Sequence, residues 1–326
     1  MNSVSVITTW PPSFEALGHG LHRPECVLGT PAGDVFVPDW RGGVAVVRAD
    51  GRQHAWLPGA SPVELRPNGI AVTADGSFLL ANLGDAGGIW RLDRTGALTA
   101  VLLEVDGIAL PPANYVTVDS QGRTWISLST RQRPRQLAWR PDVADGFVVL
   151  IDDRGARIVA DGLHYTNECR PDPSGEWLYV VETFGRRLTR FPIAPRGGLG
   201  TRETILTFGH GCWPDGFDFD QQQGIWVTSL ISNRLLRFDG DRLQTVLEEV
   251  NPDHVNAVEE AFASGQMRAE HLGPIPGTRL QHVTSIGFGG PDLRTAYVGC
   301  LHTDCIFRFR AEVAGVAPPH WTFQLP

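Results

Sequence analysis

Apolar residues fall in short runs that alternate with polar positions, and Gly, Asp and Asn separate one run from the next. The clearest example opens on Pro214-Asp215-Gly216-Phe217-Asp218-Phe219, turns through Asp220 and three Gln, and continues as Gly224-Ile225-Trp226-Val227-Thr228-Ser229. The same order recurs from Glu25, Asn68, Asn114 and Asn167 and, in a weaker copy, from Thr284, which makes six copies. In the second copy the pattern predicts strands over 70–73, 78–81, 88–92 and 98–102, with turns at Asp75-Gly76, 84–87 and Arg94-Thr95-Gly96. Four short antiparallel strands returning every 43 to 53 residues or so predict an all-β, six-bladed β-propeller, one blade per copy, filling 1–326 as a single domain.

Two stretches depart from the repeat. Val255, Val258, Phe262 and Met267 stand near helical spacing, so a helical insertion is expected over about 253–272, between blades five and six, with Asp253 as N-cap and Gly265 as an interruption. Residues 131–145, rich in Arg and Pro, form a second excursion. A closed ring also needs its last blade joined to its first. The alternating run 4–9 is the expected closing strand, beside 306–310, with 320–324 as the alternative.

Composition narrows the partners. The net charge is −8, no like-charge block exists, and all 28 basic side chains are Arg. Nucleic acid and anionic membrane, which need clustered positive charge, are not expected partners. Without lysine there is no Schiff-base chemistry and no Walker-type phosphate loop. G-x-S-x-G, H-E-x-x-H and G-x-G-x-x-G are also missing. Five cysteines at irregular spacing, with no apolar leader at the N-terminus, read as reduced thiols in a cytoplasmic protein.

The residues that open the innermost strands converge on one end of the channel: Glu25, Asn68, Asn114, Asn167, Asp215 and roughly Thr284. A turn carboxylate or amide accepting backbone N–H groups explains any one of them singly. The register they share favours oxygen ligands around a hard divalent cation: Ca²⁺, or Mg²⁺ and Mn²⁺. His302, within Cys300-Leu301-His302-Thr303-Asp304-Cys305, reads as part of a hairpin turn rather than a soft-metal cluster, though it can reach the channel.

Arg23-Pro24-Glu25, Thr166-Asn167 with Leu178-Tyr179-Val180, and Pro214-Asp215-Gly216-Phe217 resemble the SMP-30/gluconolactonase/luciferin-regenerating-enzyme-like family, and the resemblance spans about 23–310. It implies one divalent cation, most often Ca²⁺ with Mg²⁺, Mn²⁺ or Zn²⁺ as alternatives, held by Glu25, Asn167 and Asp215. It further implies hydrolysis of a small lactone or related cyclic ester, with Asp215 as ligand and general base. Asn114 and Asn68 would meet the substrate, and Tyr115, Trp213, His302 and Trp40 would wall the site. The family's frequent Asn-Asp or Asn-Gly pairs are here Asn114-Tyr115 and Asn167-Glu168, and Pro112-Ala113 replaces an arginine found in some sugar lactonases. Other chemistry on the same scaffold, such as phosphotriester hydrolysis or a cyclising or isomerising step, and a non-catalytic binding propeller are the alternatives.

Overall fold

In the computed structural model, which describes residues 6–323, six antiparallel sheets stand around one axis. Their innermost strands are Leu28–Gly29, Pro67–Val72, Ala113–Val118, Thr166–Pro171, Pro214–Phe219 and Val283–Gly289. Blade two is representative, running outward through Phe78–Asn82, Ile89–Leu92 and Leu98–Leu102, close to the strands expected from the sequence. A two-residue ribbon, Glu104–Val105 with Ile108–Ala109, follows it and was not foreseen.

The turn from inner to second strand is built the same way in several blades, which explains the recurring Asp. Asp119 accepts from the backbone N–H of Gln121 and Arg123, both at 2.9 Å, and from Trp125 Nε1, also at 2.9 Å. Asp220 does the same for Gln222, Gly224 and Trp226 Nε1 at 2.8–2.9 Å. One carboxylate thus closes the turn and anchors the first aromatic of the next strand. Between blades the sheets meet face to face through apolar side chains. Phe36 packs edge-on against Phe78 at 5.2 Å, and Trp226 against Phe288 at 5.4 Å.

The inner strands pack so closely that some positions admit no side chain. A Cβ on Gly69 would lie 2.6 Å from Tyr115 Cα, and one on Gly216 would lie 2.4 Å from the Thr284 carbonyl oxygen. Asn68-Gly69 is therefore strand, not the turn pair its composition allows.

Two boundaries differ from expectation. The strand that closes blade six beside Ile306–Arg310 is Glu15–Leu17, not 4–9. Of the stretch 4–9, Ile7–Thr9 instead adds a fifth strand to blade five, against Leu243–Val250, and residues 4 and 5 lie outside the described residues. At the other end Pro319–Thr322 is a 3₁₀ turn rather than strand, and residue 324 lies outside the described residues. The insertion between blades five and six is the helix Pro252–Ala263 followed by the 3₁₀ turn Ala269–Leu272. Its N-cap is Asn251, whose side chain accepts from His254 N, because Pro252 takes the first helical position and leaves Asp253 inside the first turn.

Val255, Val258 and Phe262 of the helix cover Trp213, Phe184, Tyr165 and Trp139 on one face of the ring. Trp139 belongs to the 131–145 excursion, which carries the 3₁₀ turn Arg135–Ala138. Loop aromatics and the insertion thereby wall the channel end at which the inner strands begin. No helix among the described residues is long and apolar enough to cross a membrane, and all five cysteines are free.

Candidate active site

Side chains from the openings of the inner strands form a hydrogen-bonded chain across the axis. Asn68 Nδ2 donates to Glu25 Oε1 at 2.8 Å, to the Asn114 carbonyl at 3.0 Å and to Asn114 Oδ1 at 3.2 Å. Asn114 Nδ2 donates to Asn167 Oδ1 at 2.6 Å, Asn167 Nδ2 donates to Thr183 Oγ1 at 3.0 Å, and the Asn167 amide lies near enough to Asp215 to favour its ionised form. From the sixth blade, Thr284 Oγ1 donates to the Glu25 carbonyl at 2.7 Å. Glu25, Asn68, Asn114, Asn167 and Asp215 are each buried.

A local irregularity aims these residues. In blades two to six the ladder between first and second strand slips at the opening, between Pro67 and Ile70, Ala113 and Tyr115, Thr166 and Cys169, Pro214 and Phe217, and Val283 and Ser285. A bulge breaks the strict alternation of a strand, so consecutive residues can face the axis together. Asn167 and Glu168 do this. Glu168 Oε1 accepts from Ser285 Oγ at 3.2 Å, its Oε2 accepts from the Phe217 N–H at 3.3 Å, and Arg170 pairs with it at 2.9 Å.

The electrostatics single out Asp215. Burial first, then the neighbouring charges of Glu25 and Glu168, push its carboxyl well above the usual carboxylate range, against the opposing pull of Arg23 and the Asn167 amide. Arg23 Nε donates to Glu25 Oε2 at 3.0 Å, and its guanidinium lies 4.3 Å from the Trp40 ring centre. The Arg23 guanidinium is itself pulled down, chiefly by burial.

Glu25 and Asp215 are buried carboxylates near enough for the Glu25 charge to raise Asp215, and the Arg23 guanidinium is bonded to Glu25 alone of the two, which leaves the pair short of positive charge. Asn68 Oδ1 is buried without a hydrogen-bond partner. Among the described residues no group of three or more His, Cys, Asp or Glu side chains is placed to hold a metal ion by itself. The donor set is therefore two carboxylates and neutral amide oxygens, which fits a hard divalent cation and not a soft one.

The other expected wall residues are dispersed. Trp40 is half-buried beside Arg23 and lines a cavity of about 460 Å³ with Arg66, Pro112 and Arg135. Tyr115 is 2% exposed and lies deeper in the channel, with the Arg170 guanidinium 5.1 Å from its ring centre. Trp213 is 0% exposed, edge-on to Phe262 under the helix, so it supports the wall from behind. His302 stands at the rim, with Nε2 hydrogen-bonded to the Leu272 carbonyl at 2.6 Å. Arg41, next to Trp40, folds back onto Asp39 at 2.6 Å.

Glu168, Arg170 and Arg23 received no role from the sequence. The signal that could have found Glu168 is the pair of adjacent polar residues opening an otherwise alternating strand.

A family model described as the SMP-30/Gluconolactonase/LRE-like region matches residues 33–269. The chain belongs to this SMP-30/gluconolactonase/LRE-like family. Among its relatives, a 6-deoxy-6-sulfogluconolactonase of Pseudomonas putida is 28% identical over 250 residues, covering 71% of this chain and 73% of the relative. A gluconolactonase structure from Xanthomonas campestris superposes with a TM-score of 0.64 at 19% identity, over 91% of this chain and 88% of that one. A calcium-binding protein, regucalcin, from Agrobacterium tumefaciens superposes with a TM-score of 0.66 at 20% identity, over 93% and 97% of the two chains. These structures share the fold of this family member.

Proposed function

We propose that this SMP-30/gluconolactonase/LRE-like protein hydrolyses a small lactone or related cyclic ester, using one divalent cation held by Glu25, Asn167 and Asp215. Ca²⁺ suits the oxygen-only donor set, with Mg²⁺ or Mn²⁺ next and Zn²⁺ less apt for want of His or Cys. The observation that carries the reading is the side-chain chain from Glu25 through Asn68 and Asn114 to Asn167, with the buried Asp215 carboxyl beside its end. Lactonase names among the relatives support the substrate class, and the calcium-binding neighbour supports the ion.

Bound there, the cation would supply Lewis-acid polarisation of the ester carbonyl and acidify a water. The chain's own residues do the rest. Asp215 would accept the proton of the attacking water through the carboxylate oxygen that does not hold the cation. Glu25 carries the second negative charge and is held in place by Arg23 and Asn68. Asn114 and Asn68 present amide groups for the ester's ring oxygens, and Trp40 and His302 border the entrance.

The test pairs elemental analysis before and after chelation with a panel of lactones. Asp215→Asn and Glu25→Gln are each expected to lower metal content and to reduce turnover at least about 100-fold, the scale of positioned proton transfer, with circular dichroism unchanged. Full activity after exhaustive chelation would reject the role of the ion.

A further inference from the structure

We propose that the cavity beside the polar ring is an anion subsite, and that the substrate is a lactone bearing a carboxylate, sulfonate or phosphate group. The proposal rests on the lactonase reading for the reaction but not for the binding of the anion.

The cavity, about 460 Å³, is lined by Trp40, Arg66, Asp85, Gln132, Arg133 and Arg135, among others. Three guanidiniums thus face one carboxylate in a protein whose net charge is −8. Three less exposed arginines elsewhere in the fold are each matched to acid: Arg123 to Asp119 at 2.6 Å, Arg187 to Glu182 at 2.6 Å, Arg237 to Asp220 at 2.6 Å. Here Arg66 is matched, to Glu64 at 2.7 Å, but Arg133 donates only to the Leu110 carbonyl at 3.1 Å. The Arg135 side chain has no hydrogen bond or ion pair with any described residue. Arg133 and Arg135, without ion-pair partners in one concavity, repel one another, and a bound anion relieves that repulsion.

The cavity adjoins the candidate active site. Trp40 lines it and also carries the Arg23 guanidinium that bonds Glu25. Arg66 lies two residues before Asn68 and Pro112 two before Asn114. A molecule whose ester carbonyl sits over Glu25 and Asp215 can therefore extend its far end to Arg133 and Arg135. Carboxylate, sulfonate and phosphate share the feature the guanidinium fork reads, two or more equivalent anionic oxygens.

The experiment compares matched lactones that differ only in an anionic substituent, one pair for each of the three anions, on the metal-loaded protein and on Arg133→Gln, Arg135→Gln and the double variant. The native protein should prefer the charged member of at least one pair, and the preference should weaken as salt rises. The double variant should lower kcat/KM for that member about 100-fold, mostly through KM, as expected for two charge-assisted contacts, and leave the neutral member within about 2-fold. Equal handling of charged and neutral members, or equal loss for both, would overturn the subsite. Calorimetric titration with inorganic phosphate, sulfate and acetate decides the matter if no lactone is turned over. Saturable binding that the double variant loses then upholds the subsite while the reaction class fails, and no saturable binding overturns it.

Discussion

His320 is neutral because its surroundings have no place for a positive charge. It sits on the 3₁₀ turn Pro319–Thr322, 5% exposed, with Nε2 donating to the Gly29 carbonyl at 2.8 Å. Burial first, and the Arg170 charge as well, lower it from 6.5 to about 4. A basic group whose folded value is depressed binds fewer protons folded than unfolded, so its share of stability is full above 6.5 and is lost as pH falls towards about 4. Asp218 opposes this over part of the range: burial raises its carboxyl to about 6, so its contribution falls as pH rises from 3.8 to about 6. His320→Gln should be somewhat less stable than the native protein at pH 7.5, having lost a buried hydrogen bond, yet should lose up to about 3 kcal/mol less on acidification to pH 4.5. Urea unfolding at the two pH values measures this, and identical acid losses would refute a buried neutral imidazole. Residue-level legibility was uneven for the same physical reason. Glu25, Asn114, Asn167 and Asp215 were readable because each opens a repeat, whereas Glu168 and Arg170 reach the axis only because the strand bulges between Thr166 and Cys169. Strict alternation would turn Glu168 away from Asn167.

Strands with two buried faces announce themselves as apolar runs, and Phe78–Asn82 and Ile89–Leu92 of blade two were legible to within a residue, whereas Pro67–Val72 begins three residues before the expected 70–73 because its polar opening interrupts the run. Glu15–Leu17 was not, because it is three residues long with only Leu17 buried. The insertion shows the same contrast within one element. Its apolar face was evident from Val255, Val258 and Phe262, but its start depended on how Pro252 divides the cap from the first turn. Asn251 caps the helix through His254 N at 3.0 Å and also donates Nδ2 to the Pro276 carbonyl at 2.9 Å, tying both ends of the excursion together. Asn251→Ala is therefore expected to cost about 1–2 kcal/mol, the upper part of the range for a lost N-cap. Asn251→Asp should recover the cap but not the second bond. Because the helix covers Trp213 and Phe184 rather than touching the polar ring, the alanine variant should lower the melting temperature with little change in metal content. A parallel loss of metal would show that the insertion braces the ring.

At the scale of the molecule, the candidate site exists only if the ring is closed, since Glu25 belongs to the first blade and Thr284, which bonds its carbonyl, to the last. Closure is carried by a short N-terminal segment. Glu15, Ala16 and Leu17 pair with Arg308, Phe307 and Ile306, Glu15 bonds Arg308 at 2.7 Å, and Phe14 stacks on Phe307 at 5.1 Å with Trp10 against it at 4.6 Å. Ile7–Thr9, by contrast, lies on the outside of blade five with every residue exposed. The two segments are adjacent in the chain but unequal in what they bury, so their removal separates closure from mere edge covering. Truncation through Thr9 should shift the melting temperature by no more than about 3 °C, the equivalent of roughly 1 kcal/mol in a domain of this size. Truncation through Gly18 also removes Leu17, whose burial is worth about 1.5–3 kcal/mol, together with the partly buried Trp10 and Phe14. It also leaves Ile306–Arg310 as a bare edge that invites association between molecules. That variant should melt about 10 °C or more below the native protein, elute partly as aggregate in size-exclusion chromatography, and bind less metal per chain. Equal melting temperatures for the two truncations would mean that the ring is held shut without the segment around Glu15–Leu17, by blade-to-blade packing alone.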